Sequence, residues 1–128
     1  MKEKEIIKRF KYWQVILGLE NWDIKVVFRD FSKKEIDSSK QGSFEGLAVT
    51  EAVAQYCSAT ITVSIDNKSM VDDNTIVHEL LHCLTSELTG YLMANGKKDA
   101  WMTYFDERLV SQLAGAICRI SAKNLSTP

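Results

Sequence analysis

The chain contains two histidines, four positions apart in His78-Glu79-Leu80-Leu81-His82. This spacing constrains the local fold more than any other feature. On an α-helix, residues i and i+4 are separated by roughly 40° around the axis and about one turn along it, so both imidazoles reach one point in space. A metal ion at that point would be held by both rings, and the carboxylate between them would reach a water on it. Random placement of the same residues gives this H-E-x-x-H pattern roughly once in a thousand chains. The competing reading is a histidine pair on a solvated helix face.

The surrounding residues favour a helix with two uses. Ile76, Val77, Leu80, Leu81, Leu84 and Leu88 fall on one broad face, expected to pack against a sheet. His78 and His82 fall on the other side, near Thr75, Thr85 and Ser86, with Glu79 at the margin. Asp72 or Asp73 is placed to cap this helix, which is expected to run to about Leu88.

Two histidines do not complete a catalytic zinc site, which has three protein ligands and an open position. The third must be a carboxylate or a cysteine. Glu87 points roughly 140° from His82 on the same helix and is a poor choice. Glu107 and Asp106 lie on a following helix that can return antiparallel. Glu107 is preferred, because Tyr104, Ser111, Ala114 and Cys118 share its face and small residues there permit close approach. Asp106 points toward the aliphatic edge of Leu109, Leu113, Ile117 and Ile120. The alternative for Glu107 is an exposed carboxylate in the first turns of a helix, favoured by the helix dipole.

The rest of the chain reads as one domain, 1–128, of α+β class. Residues from about 3 to 17 form an amphipathic helix with Ile6, Phe10, Trp13 and Leu17 on one face, and Gly18 stops it. Trp22 to Arg29 alternates as a half-buried strand. Residues 30 to 46 read as a long loop. Leu47 to Ala54 and Cys57 to Ile65 are the second and third strands, with Cys57, Ala59, Ile61, Val63 and Ile65 on the aliphatic side of the third. The last helix covers roughly Asp99 to Ala122. The expected architecture is an N-terminal helix, a small, mostly antiparallel sheet of three or slightly more strands, the H-E-x-x-H helix and a C-terminal helix carrying the third ligand.

Composition narrows the function. Hydrophobic residues make up 45% and charged residues 26%, as in globular proteins, and the net charge of −1 gives no field directed at nucleic acid or membrane. No apolar run reaches 18 residues, and the first residues lack the apolar stretch of a signal peptide. Cys57, Cys83 and Cys118 are odd in number and widely spaced, which suggests buried free thiols in a reducing, cytoplasmic setting. A monomer is expected.

His78-Glu79-x-x-His82 followed by Glu107 on a later helix resembles the zincin metallopeptidases of the glutamate-ligand (gluzincin) branch, and in particular minimal single-domain, phage-type members. The resemblance spans roughly residues 22 to 120. Ala59 to Ile65 resembles the edge strand that aligns a peptide substrate in those families. Val77 to Leu84 resembles the active-site helix, and Glu107 to Ala114 the third-ligand helix. Many gluzincins carry an Asp four residues after the ligand glutamate, where this chain has Ser111, so the partner that orients a ligating histidine is not identified by the motif. The metzincin pattern fails at Thr85 and Leu88.

The resemblance implies a Zn2+ cofactor, a peptide or protein substrate, and hydrolysis by a zinc-activated water with Glu79 as general base. Both histidines are committed, so the oxyanion donor is expected to be Tyr104, with Tyr91 as the alternative. The Ser and Thr side of the third strand would face solvent or a bound peptide. Two other functions fit the motif: a zinc amidase for a small substrate, and a latent or inactive zinc-binding interaction protein. The loop at 30 to 46 and the tail from Lys123 to Pro128 are candidates for occupying the cleft.

Overall fold

The structure is a computed structural model that describes residues 1–31, 47–94 and 100–126. The order of elements is α1 (Glu3–Ile16), β1 (Asp23–Arg29), β2 (Ala48–Val53), β3 (Ser58–Ser64), α2 (Asp73–Ala94) and α3 (Ala100–Ser126). The α+β layout matches the sequence expectation. The loop expected at 30 to 46 lies largely outside the described residues; of the tail expected from Lys123 to Pro128 only the last two residues do, because α3 runs on through Ser126, past its expected end near Ala122. No described helix is long and apolar enough to cross a membrane.

Each element begins and ends for local reasons. α1 stops where Gly18 takes a φ of 73°, a conformation that suits glycine. α2 is capped by Asp72, whose Oδ1 accepts from the Thr75 backbone N–H at 2.9 Å and from the Thr75 hydroxyl at 3.0 Å. The helix then passes through Gly90 and continues to Ala94, beyond the expected end near Leu88. One glycine costs about 1 kcal/mol against alanine, and the leucine, methionine and alanine around it are good helix formers.

The sheet has the order β1-β3-β2 and is mixed: β1 pairs with β3 in parallel, and β2 pairs with β3 antiparallel. Two expectations are corrected here. The strand sense is not mostly antiparallel, and the segment likened to an edge strand, Ala59 to Ile65, lies in the centre of the sheet. Both ladders of β3 are filled, so it cannot accept a further strand. Its polar side is also not an open row, because Thr62 and Ser64 are buried. Cys57 precedes β3 in a tight left-handed turn with a φ of 48° rather than extending the strand.

The core lies between the sheet, α1 and α2. Ile6, Phe10 and Trp13 of α1 meet Ala59, Ile61 and Val63 of β3 and Ile76, Val77, Leu80 and Leu81 of α2. Leu84 and Leu88, expected on the packed face, are 49% and 63% exposed. The cause is length. A 22-residue helix extends roughly 33 Å, whereas strands of six or seven residues extend roughly 20 to 23 Å. The stripe on α2 therefore outruns its support.

α3 turns the Glu107 face toward α2, as its small residues predict, and Asp106, expected toward the aliphatic edge, is buried with it. Asp106, Glu107, Val110 and Ala114 are buried, while Leu109, Leu113 and Ile120 are exposed. The three cysteines are free: Cys83 is buried, and Cys57 and Cys118 are half-buried.

Candidate metal centre

α2 and α3 lie side by side, and their contact assembles the site. His78 and His82 project from one side of α2, as their spacing requires. Glu107 comes from α3 to meet both. Its Oε1 lies 3.0 Å from His82 Nε2 and its Oε2 lies 3.3 Å from His78 Nε2. One ligand atom from each of the three residues falls within 4.8 Å of the other two. Two ligands each about 2.05 Å from a tetrahedral centre are roughly 3.3 Å apart, so the observed separations suit a small cation.

The hydrogen-bond pattern gives an independent test of fit. His78 Nε2, His82 Nε2, Glu107 Oε1 and Glu79 Oε2 are all buried, yet none has a hydrogen-bond partner among the described residues. His82 Nε2 and Glu107 Oε1 are close but not aligned for such a bond. Buried polar atoms without partners cost about 1 to 3 kcal/mol each. Four of them gathered at one place, three with metal-ligand chemistry, fit a cation that satisfies them together.

The bonds that hold these groups are also in place. His82 Nδ1 lies 3.1 Å from Asp106 Oδ2, and both residues are buried. The carboxylate accepts, so Nδ1 carries the proton and Nε2 is turned toward Glu107. His78 Nδ1 lies 3.3 Å from the Ser111 hydroxyl. Ser111 thus stands beside the first histidine, at the position where the resembled families carry an aspartate. The carboxylate partner here belongs to the second histidine, through Asp106. Sequence reasoning set Asp106 aside as a poorer ligand and did not find this role.

Glu79 is fully buried. Its Oε1 accepts a hydrogen bond of 2.8 Å from the Thr50 hydroxyl on β2, whose oxygen also lies 3.1 Å from the Glu79 backbone carbonyl. Its other oxygen, Oε2, is 3.9 Å from His78 Nε2. One oxygen is therefore anchored to the sheet and the other faces the histidines. Thr50 carries no spacing signal in the sequence that could have marked it.

The electrostatics follow from burial and close charge. Burial pushes the Glu79 carboxyl up to about 7, against the opposing pull of His82, His78 and the Thr50 hydrogen bond. Burial works against charge on His82, but Asp106 and Glu107 outweigh it and raise the imidazole to about 10. Burial also pushes the Glu107 carboxyl up, yet its contacts with His78 and His82 prevail and hold it at about 2. A cation taking this position displaces the His82 proton, so its uptake is linked to proton release. Cys83 is no competitor as a ligand: burial raises its thiol to about 12, and it remains protonated.

The two tyrosines considered as oxyanion donors lie on the helix surfaces. Tyr104, one turn before Glu107, is 57% exposed, and Tyr91, near the end of α2, is 66% exposed. A shallow depression lined by Lys25, Glu51 and Thr60 lies on the other face of the sheet and contains none of these groups. A scan against protein-family models, a search of curated proteins and a search of solved structures returned no match to this chain. The geometry of His78, His82 and Glu107 is therefore what speaks for a metal.

Proposed function

We propose that the protein is a zinc-dependent metallopeptidase of the gluzincin type. The observation that carries this reading is the convergence of His78, His82 and Glu107, through buried atoms without hydrogen-bond partners, beside the free oxygen of Glu79. A zinc ion held by these three residues would polarise a peptide carbonyl and lower the pKa of a water to near neutrality.

The residues around it divide the remaining work. Glu79, anchored at Oε1 by Thr50, uses Oε2 to take a proton from the attacking water and later delivers it to the leaving amine. A group that burial has moved toward neutrality suits both halves of that transfer. Asp106 and Ser111 fix the orientation of the two imidazoles. Tyr104 is the candidate donor to the developing oxyanion. The substrate is an extended peptide bound beside the three ligands and Glu79. The free cysteines fit a reducing, cytoplasmic compartment.

Elemental analysis of wild type and Glu107→Ala, together with peptide hydrolysis by wild type and Glu79→Gln, tests this function. About one zinc per wild-type chain is expected, with a sharp loss in Glu107→Ala. Glu79→Gln should keep the zinc and lose about 10²- to 10⁴-fold in turnover. A wild type that takes up no zinc after reconstitution would refute the metal site. Zinc uptake without hydrolysis of any peptide would refute the peptidase and leave a zinc-binding protein.

A further inference from the structure

α3 carries an apolar stripe that its contact with α2 does not use. Leu109, Leu113, Ala116 and Ile120 follow one another at intervals of four, three and four residues. That alternation keeps side chains on one line of a helix, and it is the spacing by which two helices pack knobs into holes. Leu109 is 37% exposed, Leu113 41% and Ile120 61%, and Phe105, which flanks the line one turn earlier, is 62% exposed. By helix angle Leu109, Leu113 and Ile120 lie roughly 120 to 160° from Glu107, which α3 turns toward α2. Single apolar residues on a surface are ordinary; a regular line of them over roughly three turns marks a surface that another element covers.

The stripe is complementary to itself. When two copies of α3 run antiparallel, Leu113 meets the partner's Ala116 and Ile120 meets the partner's Leu109, and the same pairs recur across the two-fold axis. A large residue then faces a small one near the centre, and aliphatic faces aliphatic at the ends. A parallel pairing would set Ala116 on Ala116 and leave a void. Gln112 and Arg119 are exposed on one flank of the line, and antiparallel pairing brings Arg119 toward the partner's Gln112, so like charges do not meet. The area is adequate as well. The exposed parts of Phe105, Leu109, Leu113 and Ile120 amount to roughly 400 Å² of apolar surface per copy. Two copies remove roughly 800 Å² of it from water; interface cores are about 65% apolar, so the whole contact is roughly 1,200 Å², where specific interfaces begin.

We propose that the α3 face bearing Leu109, Leu113 and Ile120 is an interface between two copies of this chain, joined antiparallel about a two-fold axis. The proposal departs from the monomer expected from the sequence. It draws on none of His78, Glu79, His82 and Glu107, so it stands apart from the peptidase reading, and the pair carries one candidate metal centre on each copy.

Sedimentation equilibrium of the full-length chain, at about 5 to 500 µM, is the test. The wild type should pass from the 14.5 kDa of one chain to about twice that mass, with a midpoint in the micromolar range expected of a small interface. Leu113→Glu/Ile120→Glu should weaken association by about 100-fold or more and stay near the mass of one chain, with its helical circular dichroism unchanged. Should the double variant lose that signal, Ile120→Glu alone, at the most exposed of the three positions, takes its place. Met70→Glu, at an exposed apolar residue outside α3, should leave the dimer intact. A wild type that keeps the mass of one chain throughout overturns the proposal and gives the stripe to another stretch of this chain or to a different protein. A dimer that survives charge on the stripe, a dimer that Met70→Glu breaks equally, or a mass that climbs past two chains overturns it as well.

Discussion

Asp106 and Ser111 give the two histidines unequal support. Asp106 offers His82 a buried charged acceptor at 3.1 Å, whereas Ser111 offers His78 a neutral hydroxyl at 3.3 Å in a more open place. A carboxylate raises the basicity of the imidazole it holds, and a hydroxyl does so far less. Asp106→Ala should therefore weaken zinc binding about 10- to 100-fold, and Ser111→Ala by less than about tenfold. Competition with a chromophoric chelator measures both, and equal losses would show that the asymmetry carries no weight. At this scale the sequence was legible where chemistry depends on spacing within one helix. His78, Glu79 and His82 declare themselves that way, and Glu107 follows from the need for a third ligand. Asp106 did not, because spacing judges it only as a ligand and its angle places it toward the aliphatic edge of Leu109 and Leu113. The Glu107 face meets α2 as expected, and Asp106, beside it in sequence, is buried against His82. Thr50 was illegible for a different reason: its link to Glu79 crosses from strand to helix.

The elements themselves were readable from periodicity. Alternation identified the first and third strands, and the 3.6-residue period identified the first helix and the H-E-x-x-H helix. Alternation says which residues share a face of a strand but nothing about which strand lies beside it, so the central place of β3 and the parallel pairing of β1 appear only in three dimensions. The apolar stripe on α2 has the same limit. It continues through Leu84 and Leu88, although the sheet beneath ends sooner. Two substitutions in that stripe should therefore behave differently. Leu80→Ala removes a fully buried side chain and should cost about 2 to 5 kcal/mol. Leu88→Ala, at a site 63% exposed, should stay within about 0.5 kcal/mol of wild type. Urea denaturation of the two variants, with unchanged m-values, checks this, and similar losses would mean that the end of α2 is covered in solution.

Across the whole molecule, α1 is tied to the start of α2, the helix bearing His78 and His82, by a two-pronged pair. Arg9 Nε lies 2.9 Å and Nη2 2.7 Å from the two oxygens of Asp73. The hydrogen bond from Arg9 holds the Asp73 carboxyl below its ordinary range, against the effect of partial burial. A carboxylate depressed in the folded state contributes stability above its unfolded pKa, near 4, and loses it as pH falls through the lower native value. Both side chains are about a third exposed, so solvent screening limits the contribution to about 1 kcal/mol or less. Asp73→Asn should therefore lower the urea midpoint at pH 7 and converge on wild type as pH falls through the lowered native pKa; a deficit that persists in acid would assign the loss to packing instead. The strand order has a further consequence, for the sequence of events in folding. Val53 and Ser58 join across a short turn, so β2 and β3 can zip together on the microsecond scale of hairpins. β1 must find Ser58 and its neighbours across the long intervening chain, a slower closure. During synthesis α1 and β1 leave the ribosome first and wait without a strand partner until β3 follows. The residues of the candidate metal centre on α2 and α3 emerge later still, so a nascent chain has its frame under way before His78, His82 and Glu107 can come together.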